Sequence, residues 1–159
     1  MRESRTTRGR PAPILAFVGS ADDFDFWLGR WRASWGEDGA HGTNTITKEY
    51  GGRVVYERFD GRPGAEFTGM SVSVYDEGGD CWYQTWVDDA GSHFELTGRF
   101  ENGEMTLLCR DTYRMRFFEI TDTSFEWTWE RRAGDGWELA WAISYERLED
   151  GEPSARGGG

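Results

Sequence analysis

From Trp31 to about Leu148 the chain is a succession of short segments in which apolar and polar residues alternate, separated by turns of only a few residues. Phe125-Glu126-Trp127-Thr128-Trp129-Glu130 shows the pattern plainly: aromatic rings fall on one side of an extended backbone and polar groups on the other. About ten such strands make a sheet with one dry face, and a sheet of that width must curl on itself or find a cover. No long amphipathic helical pattern is present to cover it. The expected architecture is therefore all-β, an antiparallel up-and-down barrel of about ten strands. Every connection is short, so neighbours in sequence become neighbours in space and the topology is a meander.

The turn residues set the expected pairing. Ser20-Ala21-Asp22-Asp23 reads as a helix start, with Phe24, Trp27 and Leu28 at helical spacing and Gly29 as the stop, which predicts a short N-terminal helix closing one end of the barrel. Gly51-Gly52 joins one hairpin and Asn102-Gly103 another. Placing Tyr75 opposite Cys81 puts Met70, Val72 and Val74 on the dry face with Trp82, Gln84 and Trp86. Around Asn102-Gly103, Phe94, Leu96, Gly98 and Phe100 align inward with Met105, Leu107 and Cys109, and His93 points outward. Opposing Phe118 with Trp127 brings Arg116 opposite Trp129 on the inner face. In the last strand Trp137, Leu139, Trp141, Ile143 and Tyr145 form the inward set, followed by Arg147. Either face of the segment 53–59 can be the inner one, so Glu57 competes with Tyr56 and Arg58 for the interior.

One domain over residues 20–149 is expected, between flexible tails at 1–19 and 150–159. The formal net charge of −11 speaks against nucleic acid, whose phosphates need clustered Lys and Arg. No run of about 18 apolar residues exists, so no membrane span is expected. The apolar run within residues 11–18 is too short and too proline-rich for a secretory leader. Cys81 and Cys109 lie on opposite faces and have no metal spacing, which predicts free thiols and a cytoplasmic location.

Aromatic residues make up 16% of the chain, with nine tryptophans, enough ring area to wall a cavity as well as fill a core. The candidate ligand-binding set is Arg116, Trp82, Gln84, Trp86, Trp127, Trp129, Trp141 and Glu57. Arg116 carries the argument, because a guanidinium inside an aromatic barrel stays charged and needs a partner. That partner is a ligand carboxylate, or an internal carboxylate such as Glu57, or water at the rim. His41 and His93 lack helper ligands for a metal or a haem, and the acidic residues Glu37, Asp38, Asp88, Asp89 and Glu95 match no calcium-loop spacing. No phosphate-binding glycine loop or nucleophile elbow occurs. No cofactor and no metal are expected.

Gly29-Arg30-Trp31 matches the Gly-x-Trp signature that opens the first strand of many lipocalin-like, or calycin, barrels. Further stretches are Phe24 to Trp31, Gly51-Gly52-Arg53, Thr68-Gly69-Met70, Tyr75-Asp76, Thr85-Trp86-Val87-Asp88, Gly91, and the hairpin from Gly98 to Leu107. On these the chain resembles the bacterial lipocalin-like family catalogued as domain of unknown function 1579. The resemblance implies a barrel with a small-ligand cavity, in which Trp31 closes the base and Arg147 lies over its ring. It brings no substrate and no catalytic residues. The leading expectation is binding of a small hydrophobic or amphipathic molecule with a polar or anionic head near Arg116. The alternative is an isomerase, cyclase or decarboxylase acting on an aromatic or polyketide-like molecule, with Tyr56, Glu57, Tyr83 or Tyr145 moving a proton. A third reading is an interaction module, with a homodimer or an open strand edge as its form.

Overall fold

The computed structural model describes residues 18–149, so apart from residues 18 and 19 both expected tails lie outside the described residues. Ten strands form: β1 Gly29–Trp35, β2 Ala40–Glu49, β3 Val54–Asp60, β4 Thr68–Asp76, β5 Cys81–Asp88, β6 His93–Glu101, β7 Glu104–Cys109, β8 Tyr113–Phe118, β9 Ser124–Ala133 and β10 Gly136–Arg147. Each pairs antiparallel with the next, and β1 pairs with β10, so the barrel is closed. Among the described residues no strand edge is left for a partner to extend.

The short helix is absent, and only a 3-10 turn, Asp25–Trp27, stands in its place. The residues expected to start the helix shape the preceding turn instead, where the backbone N–H of Ser20 donates to Asp23 (3.1 Å) and that of Asp22 donates to the Ser20 hydroxyl (3.2 Å), while the 3-10 turn itself has no side-chain cap. The turn stops after one revolution because Phe24 and Trp27 are drawn into the barrel, where both are buried. Gly19 is also anchored, its N–H donating to Asp80 (2.9 Å).

Alternation gives the right inward set wherever the turn was read correctly. At Asn102-Gly103 both residues have positive φ (55° and 78°), as a two-residue hairpin turn requires, and Gly98 pairs with Leu107 and Phe100 with Met105 as expected. In β3, Val55, Glu57 and Phe59 are buried, which turns Tyr56 and Arg58 outward.

Three expected registers are corrected. The β4–β5 turn is tighter by one position, with Asp76 opposite Cys81 and Tyr75 opposite Trp82, and Asp80 takes a positive φ of 48° to make it. One step reverses a strand's faces. Ser71, Ser73 and Tyr75 therefore join Trp82, Gln84 and Trp86 inside, while Met70, Val72 and Val74 lie outside beside Val87, Thr85 and Tyr83. At β8–β9, Phe117 rather than Phe118 opposes Trp127, and Met115 opposes Trp129. Glu119, with φ 49°, breaks the alternation there, so Ile120 and Phe117 both pack on the core although they stand three positions apart. In β10 the register shifts between Leu139 and Trp141. Trp141, Ile143 and Tyr145 keep their inward places, but Trp137 and Leu139 fall outside the barrel, where Arg114 (4.7 Å) and Arg132 (4.3 Å) lie over the Trp137 ring.

The end next to the 3-10 turn is sealed by Arg147. Its guanidinium lies 4.2 Å from the centre of the Trp31 ring and donates to the carbonyls of Leu28 (2.6 Å), Asp122 (2.8 Å) and Phe26 (3.3 Å). Trp31, fully buried, donates its indole N–H to the Trp27 carbonyl (2.7 Å). Gly29 has φ 121°, a conformation almost reserved for glycine, and a side chain there would collide with the Arg147 guanidinium. Gly29→Ala is expected to destabilise the fold by about 1–3 kcal/mol from the backbone conformation alone, with the clash added. In urea unfolding, Arg147→Ala in the same chain should recover the clash and leave the backbone part, so additive effects of the two changes would count against the contact.

Candidate functional site

Inside the barrel is a cavity of about 150 Å³. Its floor is Trp27 and Phe117, both buried against the sealed end, and its wall runs through Phe59, Leu96, Met115, Trp127 and Ile143. Towards the other end it is ringed by the half-buried side chains of Phe67, Trp86, Phe94, Trp129 and Trp141. The rings brace one another, Trp141 edge to face against Trp35 (5.2 Å between centres), Trp127 (5.8 Å) and Phe67 (6.0 Å), and Phe94 tilted against Trp129 (5.1 Å). A space this size holds about one small aromatic ring. It is too small for a haem or a long acyl chain.

Three titratable side chains line it: Glu57, Asp88 and Tyr145. Glu57 is buried, with one carboxylate oxygen accepting from the Asn44 amide (2.7 Å) and the other from the Ser71 hydroxyl (2.7 Å). Both partners are neutral. Burial pushes the Glu57 pKa up to about 6, against the opposing pull of those two hydrogen bonds. Tyr145 is raised well above its ordinary value by burial and by the nearby Glu57 charge, with Asn44 acting in the other direction. Asp88 stands where β5 meets the mouth. It accepts from the Trp86 indole N–H (2.9 Å) and from the backbone N–H groups of Ser92 (3.0 Å) and Ala90 (3.1 Å). Burial raises its pKa, but these donors outweigh that and leave it below the usual carboxylate value.

The structure brings five of the sequence candidates to the cavity: Glu57, Trp86, Trp127, Trp129 and Trp141. Trp82 and Gln84 point inward but are spent elsewhere, Trp82 donating to Asp23 (3.2 Å) and Gln84 to Ser73 (3.0 Å). Arg116 is corrected outright. The one-residue register change turns it to the outer surface, where it pairs with Glu104 (2.9 Å) and lies over the Phe118 ring (4.8 Å). The expected anionic head group thus loses its partner. His41 reaches the Gly39 carbonyl (3.1 Å), and neither it nor exposed His93 borders the cavity. Among the described residues no group of His, Cys, Asp and Glu is arranged to hold a metal ion. Both cysteines are free. Among the same residues no helix is long and apolar enough to cross a membrane.

No protein-family model matches this chain, and no curated protein matches it either.

Sequence reasoning left Asp88, Met115, Phe59 and Phe67 out of the site. Alternation along β5 carries the first signal, since Trp82, Gln84, Trp86 and Asp88 share one face. Met115 was hidden by the same register error that placed Arg116 inside.

Glu57 makes stability depend on pH in a direction opposite to most paired carboxylates. Its proton is held more tightly in the folded chain (pKa about 6) than in the unfolded one (4.5), so stability falls as pH rises between those values and the cost persists above them. Relative to Glu57→Gln, the wild type should gain roughly 2 kcal/mol on going from neutral pH to below the unfolded pKa. Urea unfolding across that range measures it, and parallel pH profiles for the two proteins would refute the assignment.

Proposed function

We propose that this protein is a lipocalin-like barrel that binds a small, largely apolar molecule of about one aromatic ring inside the cavity. The observation that carries the reading is the cavity itself, walled by aromatic rings and bounded by half-buried side chains at one end of a closed barrel. A core built only for stability packs its rings to close such space. Here the floor is packed and the mouth is not. The charged groups available to a guest are Glu57 and, at the mouth, Asp88, so recognition of a carboxylate head gives way to recognition of a hydrogen-bond donor. Titration with toluene should change the intrinsic tryptophan fluorescence saturably. Ile143→Phe, which fills the cavity, should abolish the change while keeping the fold at a cost of about 1–3 kcal/mol. A linear response, or an unchanged one in the variant, would remove the reading.

A second, catalytic reading is favoured by one observation: of the four proton-transfer candidates, Glu57 and Tyr145 do border the same cavity, whereas Tyr56 and Tyr83 face outward. A carboxylate with its pKa near 6 is suited to take a proton from a bound carbon acid. Acetophenone in deuterated buffer supplies the probe. Faster exchange of its methyl hydrogens with wild type than with Glu57→Gln would support catalysis, and equal rates would leave binding alone.

A further inference from the structure

Resting on the binding reading, the charges around the cavity define the class of guest. Glu57, Asp88 and Tyr145 are its titratable lining groups, and among the described residues no Lys, Arg or His borders it. Among the same residues Glu57 sits on the wall with no cationic partner, held by Asn44 and Ser71. A buried carboxylate without a counter-ion is an unfavourable arrangement unless something positive joins it. Asp88 adds a second negative charge at the mouth, and the chain as a whole carries −11.

The rest of the wall is chemically suited to the same guest. Indole and phenyl faces attract cations through their ring quadrupoles, most strongly where water is displaced. Phe59, Phe94, Trp86, Trp127, Trp129 and Trp141 surround the space between the two carboxylates. We propose that the cavity is an aromatic cage for an organic ammonium, a primary or alkylated amine on a single ring or similarly compact body, with Glu57 as its counter-ion. An anion is disfavoured by both carboxylates. A neutral isostere gains the ring contacts but forgoes the charge.

Three probes of nearly the same shape separate these contributions: benzylammonium, benzyl alcohol and benzoate, each titrated against the indole N–H signals of the nitrogen-15-labelled protein. Benzylammonium is expected to bind roughly tenfold or more tighter than benzyl alcohol, with benzoate weakest. Glu57→Gln should bring the amine down to about the level of the alcohol, a far larger loss than the alcohol itself suffers from losing its carboxylate acceptor. In the wild type, acidification through the Glu57 titration should weaken the amine much more than the alcohol, and the change reports Glu57 because Asp88 stays ionised and Tyr145 stays neutral over that range. This arm does not depend on the variant folding. Equal affinity for all three probes would overturn the cation preference while leaving the cavity as a binding site. An unaltered order in Glu57→Gln together with no pH effect on the amine would overturn the role of Glu57. Absence of binding by any probe would overturn both this proposal and the reading it rests on.

Discussion

Everything described here depends on the pairing of β1 with β10. A one-faced sheet of ten strands has too much apolar surface to stay open, and closure turns that surface into an interior with nowhere for water to enter along the wall. The closure is pinned at one point more firmly than elsewhere. Arg147, directly opposite Trp31, covers its ring and holds carbonyls from the segment before β1 and from the β8–β9 connection. One side chain thus ties the first strand, the last strand and the plug together, which fixes which end of the barrel is sealed and which end is the mouth.

Sealing one end gives the other its chemistry. Trp27 and Phe117 form a floor because the 3-10 turn is pressed into the barrel, and the space above them is framed by rings too large to interlock completely. Within that apolar frame a carboxylate is expensive to ionise, and the modest help of an amide and a hydroxyl leaves Glu57 poised near neutrality. Asp88, with three N–H donors, experiences the same frame and ends with the opposite shift. Two acids in one cavity therefore differ because Glu57 is buried deeply with two donors, whereas Asp88 is only half-buried and has more of them.

The barrel class was legible because period-two alternation persists along nearly every segment, whereas full closure was left open and is decided by the pairing of β1 with β10. The inward set was legible around Asn102-Gly103, where the turn type admits one register. It was misread where non-glycine residues adopt positive φ, at Asp80 and Glu119, since nothing in an aspartate or a glutamate announces that it will do so. Each misreading cost one residue and reversed a strand. Arg116 moved outside for that reason, and the polar centre of the site passed to Glu57, which the sequence left undecided between two faces. The β10 bulge was equally silent, because Trp137 and Leu139 continue the apolar alternation without interruption.

The reversed faces of β4 leave the wall unevenly bonded. This strand contributes no fully buried apolar side chain, and its interior positions Ser71 and Ser73 hold Glu57 and Gln84 by single hydrogen bonds, whereas β7 to β10 meet the interior with Met105, Leu107, Phe117, Phe125 and Ile143. Spontaneous breathing of a native fold follows the regions with least apolar burial. By that rule β4, which faces the interior with serines beside the carboxylate, is the stretch of wall expected to give way first to an entering guest.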